Sequence, residues 1–293
     1  MARAPIIESF FEKDSSTFTH LVRDPRSRAC AVVDPAVAFD PVSGAVDTTP
    51  VCQVIDRIRD AGLNVKWILE THVHADHLSG AAPLRAELGG QIVIGRRIDE
   101  VARSFDTVFP AASLYENSAP FDRLVAEGDV LPLGSLEIRV IETPGHTPAC
   151  VTYVVGDAAF VGDTLFMPDT GSARCDFPGG CAETLYASIR KILSLPDDVR
   201  LFMCHDYATG GRTHSCETTV GEEKAHNIHV GAGTGREDFI AQRIARDKTL
   251  SLPRLFIPSI QVNLRAGETP PKEVNGVSYL KLPLNVYGTR RGE

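Results

Sequence analysis

Four side chains that can bind a metal lie within one short segment of the chain. Residues 72–77 have the pattern His-x-His-x-Asp-His. In an extended backbone alternate side chains point the same way, so His72, His74 and Asp76 can converge, and His77 follows where the chain turns toward a helix. Burying so many polar groups costs several kcal/mol unless a partner satisfies them, and a divalent metal does so. We expect a metal site rather than a chance surface cluster.

Three more candidate residues follow, each close to the end of an apolar segment. His146 lies in a Thr-Pro-Gly-His-Thr turn, Asp163 follows Gly162, and His205 follows the apolar residues 201–204. Taken alone, each of them is an ordinary turn or strand-end residue, and its type does not assign it to a metal.

The elements that must position these residues are strands followed by loops. Strands are predicted just before the candidate residues, at 65–69, 136–141, 158–161 and 201–204, and also at 18–22, 29–33, 91–94 and 151–155. Helices are predicted at 51–61, 78–88, 183–193, 218–229 and 237–248. Open α/β sheets place their sites where strands end. We expect one domain over 1–293, with 250–293 as a C-terminal extension packed on it that shows little helical periodicity.

Composition and charge exclude several classes of function. The chain has 30 Lys and Arg against 38 Asp and Glu, a formal net charge of −8, whereas sequence-independent nucleic-acid binding needs a basic face. No apolar run approaches the roughly 20 residues of a membrane span, and no signal-peptide pattern is present. We therefore expect no nucleic acid, no membrane association and a cytoplasmic location. Seven cysteines without a Cys-x-x-Cys pair favour buried thiols over disulfides.

The order of the four polar segments resembles the ligand series of the metallo-β-lactamase superfamily, and the resemblance covers nearly all of the first 230 residues. It implies an α/β fold, an αββα sandwich of two mixed sheets flanked by helices, with the metal at one sheet edge. Within the superfamily, all seven residues together would suit two zinc ions bridged by Asp163. That arrangement resembles glyoxalase II, a thioester hydrolase.

A closer resemblance is to the persulfide dioxygenases, the sulfur dioxygenases of the ethylmalonic-encephalopathy protein type, and among them to bacterial members. Segments 71–77, 172–177, 180–186 and 205–207 carry it. The resemblance implies one Fe(II) per chain, held by the catalytic residues His72, His146 and Asp163. Two His and one carboxylate leave open positions on Fe(II) for a persulfide sulfur and O2, whereas zinc has no accessible redox change.

On that interpretation the other four residues of the motifs orient ligands and water rather than bind the iron; they are His74, Asp76, His77 and His205. The implied reaction turns glutathione persulfide, O2 and water into glutathione and sulfite. The resemblance also implies a homodimer. A non-enzymatic, metal-binding relative is the third possibility, and the intact ligand set argues against it.

An acidic chain needs local positive charge to bind an anionic thiol. One candidate for this charge is Arg174, because of its position in the motif. Two others, Arg212 and Lys224, lie near the loop after His205. Single arginines are nevertheless more often solvated surface residues. Tyr207 could bind the substrate or pack at a strand end. Cys175 and Cys181 are expected to be structural, with oxidation conceivable. Solvated or capping roles are expected for the remaining histidines, namely His20, His214, His226 and His229.

Overall fold

The computed structural model describes residues 4–109, 120–231 and 233–287. Its strands, in chain order, are β1 (Ile6–Glu12), β2 (Thr17–Arg23), β3 (Ala29–Val33), β4 (Ala36–Asp40), β5 (Ala45–Asp47), β6 (Asn64–Leu69), β7 (Leu78–Ser79), β8 (Gln91–Gly95), β9 (Arg123–Val125), β10 (Val130–Leu133), β11 (Leu136–Glu142), β12 (Val151–Val155), β13 (Ala158–Phe160), β14 (Arg200–Phe202) and β15 (Glu217–Thr219). Its α-helices are α1 (Thr49–Asp60), α2 (Ala81–Leu88), α3 (Ile98–Ser104), α4 (Ala182–Ile192), α5 (Val220–His226), α6 (Arg236–Asp247) and α7 (Phe256–Asn263).

Two six-stranded mixed sheets form the centre of the fold. The first has the order β1-β2-β3-β6-β8-β9, antiparallel across β1, β2 and β3 and parallel from β3 to β9. The second has the order β10-β11-β12-β13-β14-β15, with one parallel pair, β13 and β14. Strands β5, β4 and β7 form a small third sheet. The predicted α/β class with two mixed sheets and outer helices is confirmed.

The two sheets pack face to face through alternating apolar side chains. In β11, Leu136, Ile138 and Val140 are buried while the residues between them are exposed, which is the pattern of a strand with one covered face. They join one apolar cluster with residues of β3, β6 and β12. Trp67 of β6 also crosses between the sheets, because its indole Nε1 donates a 2.7 Å hydrogen bond to the carbonyl of Pro132.

Helices cover both outer faces. The buried face of α1, with Val54 and Ile58, packs against the first sheet, and that of α4, with Leu185 and Ile189, packs against the second. In each of these helices the buried residues recur every three to four positions, as an amphipathic helix requires. The predicted helix at 218–229 is shorter in the structure, since residues 217–219 pair with β14 before α5 begins.

The C-terminal segment contains a buried helix that its sequence pattern did not predict. Helix α7 is buried on nearly all sides, polar residues included, so it lacks the polar–apolar alternation by which surface helices are recognised. Phe256, Ile260 and Val262 belong to the same apolar cluster as α1 and the outer face of the first sheet. In the described part of the chain, no helix has the length and apolar character needed to cross a bilayer.

Candidate metal centre

Three of the predicted metal-binding residues meet at the edge where the two sheets face each other. His72 follows β6 of the first sheet, whereas His146 and Asp163 follow β11 and β13 of the second. Their ligand atoms all lie within 4.8 Å of one another. Nε2 of His72 and Nε2 of His146 are each 3.7 Å from Oδ2 of Asp163. All three residues are buried.

In His72 and His146, a hydrogen bond at Nδ1 determines that Nε2 is the ring nitrogen left free to bind a metal. Nδ1 of His146 lies 2.7 Å from the carbonyl oxygen of Arg174, which can only accept, so Nδ1 carries the proton. The hydroxyl of Thr71 donates to Oδ2 of Asp34 and therefore accepts from Nδ1 of His72. In both rings Nε2 keeps its lone pair. Burial and the neighbouring imidazoles hold the pKa of His72 well below its usual value, which keeps that ring neutral.

Two glycines let the loops approach this closely. Gly162, beside Asp163, has φ +52°, and a Cβ there would lie 2.5 Å from the hydroxyl oxygen of Thr71. Gly145, beside His146, has φ +140°, and a Cβ there would lie 2.3 Å from the backbone of Leu185. Side chains at either position would push the metal-binding residues apart.

A second group of possible ligands adjoins the first. His74, Asp76, His77 and His205 offer atoms within 4.8 Å of one another. Nε2 of His205 lies 3.2 Å from Oδ2 of Asp76 and 3.5 Å from Oδ1 of Asp163, so the carboxylate of Asp163 stands between the two groups. Burial alone would raise the pKa of Asp76, but the neighbouring His205 and His77 outweigh this effect and hold that pKa well below the usual carboxyl range.

Buried polar atoms without hydrogen-bond partners test whether these residues fit a metal. Among the described residues, five such atoms belong to this one site: Nε2 of His72, His77 and His205, and Oδ1 of Asp76 and Asp163. Buried polar atoms are otherwise nearly always paired, because leaving them unpaired is costly. A divalent cation satisfies carboxylate oxygens and imidazole lone pairs together. The residues therefore fit a metal, and the site is a metal-binding site of the fold.

His74 differs from the other histidines because its Nε2 is occupied by carboxylates. It lies 3.1 Å from Oδ1 of Asp34 and 3.3 Å from Oε2 of Glu70. Burial opposes a charged His74, but the carboxylate of Asp34 outweighs this effect and raises the pKa of His74 well above its usual value. Burial in turn raises the pKa of Glu70.

Asp34 and Glu70 are important residues that the sequence analysis missed. Asp34 directly follows β3 and adopts φ +48°, an uncommon conformation for a residue other than glycine, and such positions concentrate at functional sites. It accepts hydrogen bonds from both the amide and the hydroxyl of Thr71. The available signal was an Asp-Pro pair directly after an apolar strand, the same strand-end position that identified the other residues.

A cavity of about 400 Å³ opens onto the metal-binding residues. His146, Asp163 and Asp76 line its base, and the rings of Phe166 and Phe177 line its walls. Apolar walls above a polar base are typical of small-molecule sites. The described lining residues also include four arginines, Arg174, Arg243, Arg246 and Arg254.

The predicted substrate-binding residues have different surroundings. Arg174 and Tyr207 line the cavity. The guanidinium of Arg174 forms two hydrogen bonds of 2.7 and 2.8 Å with the carboxylate of Asp176 and stacks on Phe177. The ring of Tyr207 is half exposed and lies parallel to that of His205, with centroids 6.1 Å apart. Arg174 therefore borders the cavity with its charge largely neutralised.

Arg212 and Lys224 are not among the described residues that line the cavity. Arg212 binds the carboxylates of Asp169 and Asp206 through hydrogen bonds of 2.6 to 2.8 Å. Lys224 pairs with Asp197 at 2.6 Å. Both cations are thus engaged by carboxylates, and a role of either in substrate binding stays a prediction.

The cysteines and remaining histidines add two corrections. Cys175 is buried, and burial together with Asp247 raises the pKa of its thiol to about 12; Cys181 is half-buried beside Glu183. A solvated role is wrong for His229, which is buried and accepts hydrogen bonds from the amide and hydroxyl of Ser172. It is also wrong for His20, which is buried and contacts the carbonyl of Met203.

Comparison with known proteins places this geometry in a family. Three relatives are similar over nearly the whole chain. A probable metallo-hydrolase of Burkholderia pseudomallei is 50% identical, covering 95% of this chain and 99% of that protein. Glyoxylase B2 of Dictyostelium discoideum is 43% identical, covering 97% and 99%. The mitochondrial persulfide dioxygenase ETHE1 of Homo sapiens is 33% identical, covering 92% and 91%.

A solved structure and a family model agree with these relatives. The crystal structure of ETHE1 from Myxococcus xanthus superposes with a TM-score of 0.71 at 29% identity, covering 90% of this chain and all of that one. The model of the metallo-beta-lactamase superfamily matches residues 14–205, the stretch that carries all seven predicted metal-site residues. The chain therefore belongs to the metallo-beta-lactamase superfamily.

Proposed function

We propose that this protein is a persulfide dioxygenase that binds one Fe(II) through His72, His146 and Asp163. The observation that carries the proposal is the convergence of these three residues, with both Nε2 atoms free and facing one carboxylate. Two His and one carboxylate are typical of non-haem iron sites that keep open positions for substrate and O2. The likeness to two ETHE1 proteins supports the same activity.

The contacts of His74 determine which of its ring nitrogens a second metal could use. A dinuclear site built from all seven residues needs a ligand atom from His74. Its Nε2 faces Asp34 and Glu70, so Nδ1 is the nitrogen left for a metal, and Nδ1 lies 4.0 Å from the thiol sulfur of Cys204. In the one-iron proposal His74 is a support beside the iron ligands, held by Asp34 and Glu70, whereas a dinuclear site would use its Nδ1.

Bound Fe(II) would supply the redox chemistry with O2 that oxidation of sulfur requires. The proposed reaction is glutathione persulfide + O2 + H2O → glutathione + sulfite + 2 H⁺. The S–S bond breaks, the terminal sulfur is oxidised, and O2 is reduced. The chain's own contribution is to position the terminal sulfur over the open side of the three ligands. Phe166, Phe177 and Tyr207 line this approach and limit the access of water.

Charges at the cavity mouth suit this substrate. Arg246 and Arg254 line the cavity, are exposed, and form no direct ion pair among the described residues; Arg254 also attracts the carboxylate of Asp40 at longer range. Asp14 lies at the same mouth with an exposed carboxylate. Glutathione persulfide carries two carboxylates and one ammonium group, so two free cations and one free anion complement it. These charges replace Arg212 in our assignment of substrate contacts.

Metal analysis and O2 uptake test the proposal. Protein purified without added metal should contain about one iron per chain and should consume O2 rapidly with glutathione persulfide. His146→Ala should lose both iron and activity. Iron retained at the unmodified level in that variant would refute the ligand role of His146, and iron-loaded protein without O2 uptake would refute the activity.

The second candidate is a dinuclear zinc thioester hydrolase of the glyoxalase II type. The group formed by His74, Asp76, His77 and His205 favours it, because three of these residues have unpaired buried atoms facing a possible second metal. The similarity to glyoxylase B2 supports it as well. Two zinc ions per chain and hydrolysis of S-lactoylglutathione without O2 uptake would establish this candidate over the first.

The homodimer expected from the resemblance remains part of the proposal, and light scattering measures it.

A further inference from the structure

The loop that carries the His-x-His-x-Asp-His motif contacts a distant part of the chain. This loop, residues 70–77, joins β6 to β7 and contains no helix or strand. The buried side chain of Asn263, the last residue of α7, reaches it. Nδ2 of Asn263 donates hydrogen bonds of 2.9 Å to the carbonyl of His74 and 2.8 Å to the carbonyl of His77. Its Oδ1 accepts a 2.8 Å bond from the amide of Ser79.

These contacts satisfy backbone groups that the loop itself leaves unpaired. Within the described part of the chain, neither the carbonyl of His74 nor that of His77 accepts a hydrogen bond from a backbone amide. A buried carbonyl without a partner is costly. The primary amide of Asn263 offers two donors and one acceptor in one plane, and all three are used. Aspartate, leucine and alanine cannot reproduce this set.

The same contact continues to the support of His74. The hydroxyl of Ser79, whose amide binds Asn263, donates to the carboxylate of Glu70. Glu70 in turn faces Nε2 of His74. Asn263 is therefore linked both to the backbone of the loop and, through Ser79 and Glu70, to a histidine side chain within it.

We propose that Asn263 is a positioning residue for the metal centre, which fixes the backbone of the loop and thereby the directions of its metal-binding side chains. The loop carries His72 of the first ligand group and His74, Asp76 and His77 of the second, so a shift of either carbonyl changes the directions of the side chains on both sides of it. The C-terminal helix thus forms part of the metal site without contributing a ligand. The proposal concerns the loop's geometry and holds for iron or for zinc.

Helix α7 offers a matched control. Gln261 lies two residues earlier, is equally buried, and binds the carbonyls of Ile257 and Lys281 rather than the loop. Asn263→Asp keeps the size of the side chain but removes both donors, and Asn263→Ala removes the group. Gln261→Ala removes a comparable number of hydrogen bonds from the same helix without touching residues 70–79.

Three measurements on the full chain test the proposal. In metal-stripped protein, amide exchange within residues 72–79 should be at least about tenfold faster in both Asn263 variants, and unchanged in Gln261→Ala. Release of bound Co²⁺ to a chelator should be about 10- to 100-fold faster in the Asn263 variants. Visible absorption bands of the Co²⁺-loaded protein should shift in Asn263→Asp and stay unchanged in Gln261→Ala.

Two results would overturn the positioning role. One is equal exchange, release and absorption in the Asn263 and Gln261 variants, since the contact to the loop would then have no effect of its own. The other is accelerated exchange in all strands of Asn263→Asp, which would show that the amide supports the whole fold rather than this loop. A failure of the proposed function is distinguishable from both, because unmodified, iron-loaded protein that consumes no O2 with glutathione persulfide would refute the activity and leave the exchange and Co²⁺ results for Asn263 unaffected.

Discussion

The protonation of each metal-binding histidine is decided by the atom that its other ring nitrogen contacts. A carbonyl holds the proton on Nδ1 of His146, and a hydroxyl already committed to Asp34 holds it on Nδ1 of His72. The hydroxyl of Thr71 therefore fixes both the orientation and the tautomer of the His72 ring. Without that hydroxyl the ring could rotate or change tautomer.

Thr71→Val tests this dependence. The substitution keeps the shape of the side chain and removes its hydroxyl, so we expect about a 10- to 100-fold loss of metal affinity, measured by competition with a chelator. Thr164→Val is the control, since the hydroxyl of Thr164 is buried beside Asp163 and has no hydrogen-bond partner among the described residues. Thr164→Val should bind metal normally. Equal affinity in the two variants would show that the Thr71 hydroxyl does not orient His72.

The free arginines at the cavity mouth should govern substrate affinity rather than chemistry. Replacing both Arg246 and Arg254 by Ala should raise KM for glutathione persulfide about three- to tenfold and leave kcat nearly unchanged, because exposed charge pairs contribute modestly to binding. Arg236→Ala removes an exposed arginine paired with Glu237, outside the described cavity lining, and should change neither constant. A lower kcat at constant KM would contradict this role.

At the scale of elements, strand ends were predictable because local pattern determines them. The strands before His72, His146, Asp163 and His205 lie within two residues of their predicted positions, and the structure brings the loops that follow them together. The supporting contacts were not predictable, since Asn263 and Asp34 contact the loop from distant positions in sequence. Helix α7 lacks an amphipathic pattern because it is buried on nearly all sides.

Helix α5 carries a buried acid whose ionisation opposes folding. Burial, with a smaller contribution from Asp169, raises the pKa of Glu223 to about 8 against 4.5 in an unstructured chain. Among the described residues, only the side-chain amide of Asn227 donates a hydrogen bond to its carboxyl group. Between these two pH values the unfolded chain loses a proton that the folded chain retains. This residue therefore makes the free energy of unfolding fall as pH rises from about 4.5 to about 8.

Glu223→Gln removes that dependence. Relative to the unmodified protein, the variant should gain stability as pH rises, by on the order of 4 kcal/mol between pH 5 and pH 9. Urea unfolding at the two pH values measures the difference, and other titrating groups cancel between the two proteins. Glu222→Gln, at an exposed neighbour on the same helix, is the control and should show no such gain. A constant difference between pH 5 and pH 9 would refute the raised pKa.

For the whole molecule, the metal centre connects the two sheets. His72 belongs to the first sheet, and His146 and Asp163 to the second, so a bound metal adds a link between the sheets that the unfolded chain does not have. A ligand that binds only the folded state raises stability by mass action. The bound metal also adds positive charge at the base of a cavity whose mouth has exposed arginines. The cavity is thus locally positive although the chain has a net charge of −8.

Removal of the metal should therefore lower Tm. At a free metal concentration one hundred times Kd the expected loss is about 2.7 kcal/mol, or roughly 5 °C or more for a domain of this size. Thermal scans with and without a chelator measure it. His146→Ala should show a much smaller chelator effect, and an equal shift in both proteins would mean that the chelator acts elsewhere.

The single tryptophan that crosses between the sheets makes the protein its own optical reporter. Trp67 is the only indole in the sequence, it is buried, and its N–H is committed to the carbonyl of Pro132 in the facing sheet. Excitation at wavelengths that only tryptophan absorbs thus yields emission from one known position. A red shift of that emission signals water entering between the sheets, so separation of the sandwich can be timed without labels or substitutions.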